Sequence, residues 1–434
     1  MTKARTITPG PINRLMFPAA CHTVSHYRAQ TLAALLSVML LVCCAPVLPA
    51  GLLDNWYAGD GHVHSEYSQW DIVYVRPLGF SKRPTVADMA QAALRQGLSW
   101  IIITDHETMF SKKHYYSGEN ARYAHQRWLS MSEDCRKIKD ILVLPGEETG
   151  GLVPVPGYHS SHYLCYGINE WVKTDRSCAG MVARVKQRNG LGFIAHPNGS
   201  RRAYSHYTYN WVDLKSTAGY TGVELINYGM VADYAKPGHL WDRHLTGEIA
   251  ARMDGLPLTT THVGVANSDA HWPKSVGRGK TYVYLPAGLP PERDQAQAAL
   301  FTALAQGRCV ASDGPLLVCK LGEANIGDLI TVAPGARLPL TIEWRSPLPL
   351  AAIKVIGRDG KILHCWSAGE LAGLSGSKRL DLSFTDSGYV RVQGAARRHG
   401  LFKTTTQNVF TNPIWVKVTP PAMKLPNPEK LFKT

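Results

Sequence analysis

From residue 55 onward, short apolar runs rich in β-branched residues recur, and most are followed by segments with apolar positions every three or four residues. Thr85 is placed to cap a helix that gathers Val86, Met89, Ala90, Ala93 and Leu94 on one face, and Gly97 ends it. Residues 100–106 then read as a buried strand, 121–140 as a helix, 141–147 as a strand, and 181–188 as a helix stopped by Gly190. Further strands are expected at 192–196, 222–227, 263–271 and 281–285. This alternation predicts a parallel α/β architecture of about seven units, enough to close a barrel rather than leave an open sheet. After residue 316 the period changes. Leu338, Leu340, Ile342 and Trp344 alternate with polar neighbours, Asp359 and Gly360 form a hairpin-turn pair, and Leu380, Leu382 and Phe384 continue the alternation. A small C-terminal all-β, sandwich-like domain follows from that pattern.

The strands share one chemical feature. His62 and His64, Asp105 and His106, Glu147, His196, and Asp269 and His271 all stand at or just beyond the downstream end of an apolar run. In a parallel α/β barrel those ends form a single rim, which holds the active site. A buried ionisable side chain is costly unless paired or coordinated, so five strands ending this way point to a shared metal site. A His/Asp/Glu set without cysteine suits Zn, Mn or Fe in a hydrolytic centre, and the number of ligands implies two or three divalent ions.

Composition adds less. The net charge of +14 is partly terminal: residues 1–30 and 421–434 together supply +6. No nucleic-acid-binding signature accompanies it, so nucleic acid is expected to be an unlikely partner, and a small-molecule ester or phosphoester the substrate. Residues 31–50 form an apolar run after Arg14 and Arg28 and end in a small residue. They read as an export signal cleaved near Ala50 or as an uncleaved membrane anchor. The chain is therefore expected to be exported, periplasmic or extracellular, or anchored to a membrane by that segment. The cysteines beyond it form no C-x-x-C pair, which argues against a cysteine zinc site. The expected organisation is residues 1–50 as signal or anchor, 55–315 as the barrel, 316–420 as the β-domain and 421–434 as a basic tail.

Five motifs occur in a set order: Asp-x-His-x-His-Ser at 60–65, Thr-Asp-His at 104–106, Gly-x-Glu at 146–148 or Pro-Gly-Glu at 145–147, Ala-His-Pro at 195–197, and Ser-Asp-Ala-His at 268–271. In this order they resemble the PHP (polymerase and histidinol phosphatase) superfamily. The resemblance implies a distorted (β/α)7 barrel with a two- or three-metal centre. It gives His62, His64, Glu147 and Asp269 the first ion. Glu147 would bridge to a second ion, shared with His196 and a histidine of the 157–168 segment. His162, which precedes an apolar strand, fits that role better than His159. His106 and His271 would help hold a third ion, and Asp105 could assist, because Gln69-Trp70-Asp71 departs from the pattern expected there. Residues 307–315 and the Asn-Pro-Ile at 412–414 resemble, more narrowly, the CehA/McbA-type metallohydrolases.

The implied chemistry is hydrolysis by a metal-bridged hydroxide, with Asp269 orienting the nucleophile and His271 or His106, whichever is not metal-bound, protonating the leaving group. Arg201 and Arg202 follow the His196 strand end, and His239 and Arg278 also fall in rim-side loops, so these four are candidate substrate-binding residues. Guanidinium pairs match phosphate or carboxylate geometry. A phosphoesterase is expected first, a carbamate or carboxylic ester hydrolase second, and an inactive, metal-stabilised binding protein third.

Overall fold

A computed structural model describes residues 51–68, 83–107, 118–150, 162–175, 177–197, 217–256, 258, 260–400 and 404–419. The proposed signal or anchor, His159, Arg201, Arg202, Gln69, Trp70, Asp71 and the basic tail lie outside these residues. No helix among the described residues is long and apolar enough to cross a membrane.

The first half carries strands β1 (Trp56–Val63), β2 (Trp100–Ile103), β3 (Leu142–Thr149), β4 (Tyr163–Tyr166), β5 (Leu191–Ile194), β6 (Gly222–Asn227), β7 (Met230–Val231), β8 (Val263–Asn267) and β9 (Lys280–Tyr284). Helices α1 (Val86–Arg95), α2 (Gly118–Lys137), α3 (Cys178–Lys186), α4 (Leu240–Met253) and α5 (Arg293–Ala305) are interleaved with them. Helix α1 forms as its sequence requires. Thr85 accepts from the Asp88 amide, the Asp88 carboxylate accepts in return from the Thr85 amide, and Val86, Met89, Ala90 and Ala93 are buried.

The sheet is mixed, which corrects the expectation of an all-parallel barrel. Pairs β1–β2, β2–β3, β5–β6 and β6–β8 are parallel. Strand β4 runs antiparallel to both β3 and β5, and β9 is antiparallel to β1. Named strands do not close a ring. The two ends of the β1–β8 path are joined by an isolated parallel bridge between Val63 and Ala270, where His64 N donates to Ala270 O (2.8 Å) and Ala270 N donates to His62 O (3.1 Å).

After β10 (Cys309–Ser312) the described residues turn wholly to strands and short 3-10 turns: β11 (Leu316–Leu321), β12 (Ala324–Asn325), β13 (Leu329–Val332), β14 (Ala336–Arg345), β15 (Leu350–Ile356), β16 (Ile362–Ser367), β17 (Ser375–Phe384), β18 (Gly388–His399), β19 (Thr404–Thr411) and β20 (Ile414–Val418). Strands β12-β11-β14-β17 form a separate sheet. Leu340, Ile342 and Trp344 alternate inward there, as their period requires. Strand β19 pairs with β10, so the C-terminal strands continue the sheet of the first half.

Two polar devices tie the halves together. Asn412 Nδ2 donates to the carbonyls of Gly264 and Cys309 (both 2.9 Å), and its Oδ1 accepts from Gly264 N (2.8 Å), so one side chain replaces a strand's backbone against β8. Arg391 on β18 and Asp242 on α4, both fully buried, form a two-pronged pair at 2.7 and 2.8 Å. Tyr389 Oη donates to the same carboxylate at 2.9 Å, and the Arg391 guanidinium stacks on Trp241. Among the described residues, Cys135, Cys165, Cys309 and Cys319 are buried free thiols, and Cys365 is an exposed one.

Candidate metal centre

The strand directions bring the predicted ligands to one rim. Downstream ends of β1, β2, β3, β5 and β8 deliver His62 and His64, His106, Glu148, His196, and Asp269 and His271. Because β4 is antiparallel, its beginning lies on that rim, which explains why His162 precedes its strand. His196 (φ 27°) and Asp269 (φ 52°) take left-handed backbone conformations at their strand exits. Such conformations are uncommon outside glycine and concentrate at functional sites. Gly61 lets β1 pass close to Tyr166 and Asn267 just before His62: a Cβ there would stand 2.4 Å from Tyr166 Oη and 2.9 Å from Asn267 Oδ1.

Glu148 is the hub. Its Oε2 lies 3.1 Å from His62 Nε2, 3.3 Å from His64 Nε2 and 3.0 Å from His106 Nδ1. Its Oε1 lies 2.7 Å from His162 Nδ1 and 3.1 Å from His196 Nε2. Asp269 Oδ1 stands 3.3 Å from His62 Nε2 and 3.2 Å from His64 Nε2. Three overlapping groups could each hold an ion: His62, His64, Glu148 and Asp269; His106, Glu148 and His162; and His64, His106 and His271.

The donor set fits divalent cations on its own chemistry. His62 Nδ1 faces Glu224 Oε1 at 3.0 Å, and a carboxylate only accepts, so that nitrogen is assigned the proton. In a neutral ring, Nε2 then presents a lone pair towards Glu148 and Asp269. His62 Nε2 and Glu148 Oε2 are buried 3.1 Å apart, without the alignment of a hydrogen bond to each other or to any other group. Converging lone pairs repel unless a positive charge lies between them. Ligand atoms about 2.05 Å from a tetrahedral zinc are about 3.3 Å apart, close to the spacings found here.

The electrostatics agree. Burial opposes a charge on His62, yet the carboxylates of Glu148, Asp269 and Glu224 pull it well above the ordinary imidazole range. Burial likewise works against ionised Glu148, but His106, His162 and His62 hold it well below the usual carboxylate range. Asp269 is lowered too, against its burial, by His62, by its bond to His64 and by His271.

Two expected ligands are placed elsewhere. Glu147, read as the bridging carboxylate, points to the other side of β3, because successive strand residues face opposite ways. Its Oε2 accepts from Val172 N (2.8 Å), and it is Glu148, the glutamate of the Gly-x-Glu spacing at 146–148, that faces the histidines. Burial, and then the Glu107 carboxylate, raise Glu147 well above the usual range. Asp105 accepts from Ser65 N (2.7 Å) and Ser65 Oγ (2.6 Å), which fixes the turn after His64, and it joins none of the three groups. His239 is exposed at the N-cap of α4 and Arg278 is exposed near the rim; neither belongs to those groups.

Sequence reasoning missed the buried carboxylate of Glu224, and it gave Asp60, the first residue of the 60–65 motif, no role. Glu224 accepts from His62 Nδ1 and Asn267 Nδ2 on one oxygen (3.0 and 2.9 Å), and from His196 N and Asn227 Nδ2 on the other (2.7 and 2.8 Å). Asp60 accepts from the amides of His62 (3.3 Å), Ser268 (3.0 Å) and Gly277 (2.9 Å) and from Ser268 Oγ, fastening β1 to the segment that carries Asp269. Burial raises Asp60 to about 6 despite these donors.

No family model matches the chain, and no curated protein matches it. Among solved structures it is similar to Endonuclease Q in complex with a 27-mer duplex carrying an abasic lesion at the active site (16% identity, TM-score 0.31, covering 52% of each chain). It is also similar to the lesion-specific endonuclease PfuEndoQ from Pyrococcus furiosus (14% identity, TM-score 0.33, covering 56% of each chain). A further likeness is to the sulfur carrier protein SoxY from Chlorobium limicola f thiosulfatophilum (17% identity, TM-score 0.17, covering 24% of this chain and 78% of that one). The chain spans about half the length of the two endonucleases. The narrower resemblance to CehA/McbA-type metallohydrolases gains no support from them. The expectation that nucleic acid is an unlikely partner is withdrawn, because one of these similar proteins was solved on duplex DNA.

Proposed function

We propose that the chain is a metal-dependent hydrolase of PHP type that cleaves phosphoesters. The observation that carries the proposal is the position of Glu148, whose two oxygens divide five imidazoles between them. A carboxylate so placed suits a bridge between neighbouring cations. His62, His64 and Asp269 would hold an ion on its Oε2 side, His162 and His196 one on its Oε1 side, and His106 would complete the set, with His271 not bound to metal. Bound divalent ions supply Lewis-acid polarisation of the ester oxygen and make water more acidic.

The chain's own residues do the rest. Asp269, a quarter exposed at the mouth of the cluster, stays ionised and can orient the attacking water. His271 Nδ1 donates to Asp269 O (2.9 Å), which fixes the ring at the opening, where a leaving group would be protonated. Glu224 and Asp60 hold the β1 histidines in register. The assay is hydrolysis of an aryl phosphate, an aryl phosphodiester and an abasic-site DNA duplex by the full chain with Mn or Zn. Turnover of a phosphoester that is abolished in Glu148→Gln supports the proposal. Metal binding without turnover on any of the three refutes it.

A further inference from the structure

Strand β6 ends in a two-residue hairpin. Ile226 pairs with Val231 and Asn227 with Met230, leaving Tyr228 and Gly229 as the turn. Both central residues have positive φ, 51° and 74°. Two-residue turns of this kind prefer Asn, Asp or Gly at the first position, because a bulky side chain is strained there. Tyr228 breaks that rule, and its side chain is not used in the core: 43% of its surface is exposed, beside Met230 at 51%. The Arg278 guanidinium lies 4.7 Å from its ring centroid. A residue that violates its local preference without a gain in core packing is a candidate for a functional position.

This turn adjoins the metal centre. Tyr228 N donates to Asn267 O (3.2 Å), two residues before Asp269. Asn267 Nδ2 donates to Glu224 Oε1, which faces His62. Beside Arg278, Gly277 N donates to Asp60. The turn and Arg278 are therefore anchored to the same residues that hold β1 and β8.

We infer that Tyr228 and Arg278 form a recognition platform for a planar ring attached to the phosphoester, an aryl group or a nucleobase. This rests on the phosphoesterase reading above. An exposed aromatic face stacks on such rings, while a guanidinium can also reach an anionic ester oxygen through its in-plane N–H groups.

The test uses three diesters with one leaving group: bis(p-nitrophenyl) phosphate, the p-nitrophenyl ester of thymidine 5′-monophosphate, and methyl p-nitrophenyl phosphate. They are given to the Mn-loaded full chain, to Tyr228→Asn and to Tyr228→Phe. The wild type prefers a ring-bearing diester over the methyl one in kcat/KM, and which ring it prefers separates an aryl from a nucleobase substrate. Tyr228→Asn lowers that preference about fivefold or more, through KM rather than kcat, while Tyr228→Phe keeps it. Since Asn suits the turn better, the Tm of Tyr228→Asn holds or rises. An unchanged preference in Tyr228→Asn, or a fall in its Tm, overturns the platform while leaving the hydrolase reading standing. No turnover of any of these diesters by the metal-loaded wild type overturns the platform, and if the aryl phosphate and the abasic-site duplex are also left intact it overturns both.

Discussion

Glu224→Gln isolates the step from buried network to metal affinity. Each oxygen of Glu224 receives two donors: His62 Nδ1 and Asn267 Nδ2 on Oε1, His196 N and Asn227 Nδ2 on Oε2. Glutamine keeps the shape but replaces one acceptor by an NH2 group. Whichever way the amide turns, two buried donors then face a donor. Each buried group left unsatisfied costs about 1–3 kcal/mol, so the variant loses roughly 2–6 kcal/mol of stability. One orientation also removes the acceptor that fixes the His62 tautomer, and the other disturbs the His196 backbone. Loss of an outer partner of this kind lowers metal affinity by about 10–100-fold. The assay pairs urea denaturation of the metal-free protein with competition for Zn or Mn against a chelator of known affinity. Wild-type stability together with wild-type affinity would refute the reasoning, since it would mean that the carboxylate has no part in aligning His62.

Three further outcomes follow from the geometry. Arg391→Met leaves Asp242 buried without its cation and costs about 3–5 kcal/mol, whereas Arg391→Met with Asp242→Leu recovers much of that; a urea double-mutant cycle measures it. Asn412→Asp should destabilise more than Asn412→Ala, because a carboxylate would face the Gly264 and Cys309 carbonyls that Nδ2 now serves; thermal unfolding of the pair checks the order. Glu147 has a raised folded-state pKa, so the native state binds more protons than the unfolded state above the ordinary value of 4.5, and its contribution to stability falls as pH rises beyond that point. Glu147→Gln, which mimics the protonated form, should flatten that decline between pH 4.5 and 8 in urea titrations and leave metal binding intact.

Much of the candidate centre was legible because the residues that could hold an ion punctuate strands. A polar residue after an apolar run is visible in one dimension, and His62, His64, His106, His196, Asp269 and His271 were found that way. Glu147 and Glu148 show where the method stops. A one-residue difference reverses the facing of a strand side chain, and no spacing rule separated adjacent glutamates. Glu224 sits inside the apolar run 222–227, so it carried a signal that could have been used: a carboxylate within a buried strand must have partners. Strand β4's reversed direction left only an indirect trace, the histidine before its strand instead of after it. Arg391 and Asp242 are 149 positions apart and left none.

The central claim is that Glu148 bridges a divalent-metal centre. Its most direct test is the metal content of the purified full chain, with Glu148→Gln and Glu147→Gln measured beside it by elemental analysis after equilibration with Zn or Mn. The account predicts about two or more ions per chain in the wild type and in Glu147→Gln, and at most one in Glu148→Gln. A wild type without bound metal, or a Glu148→Gln chain that holds as much as the wild type, would contradict it.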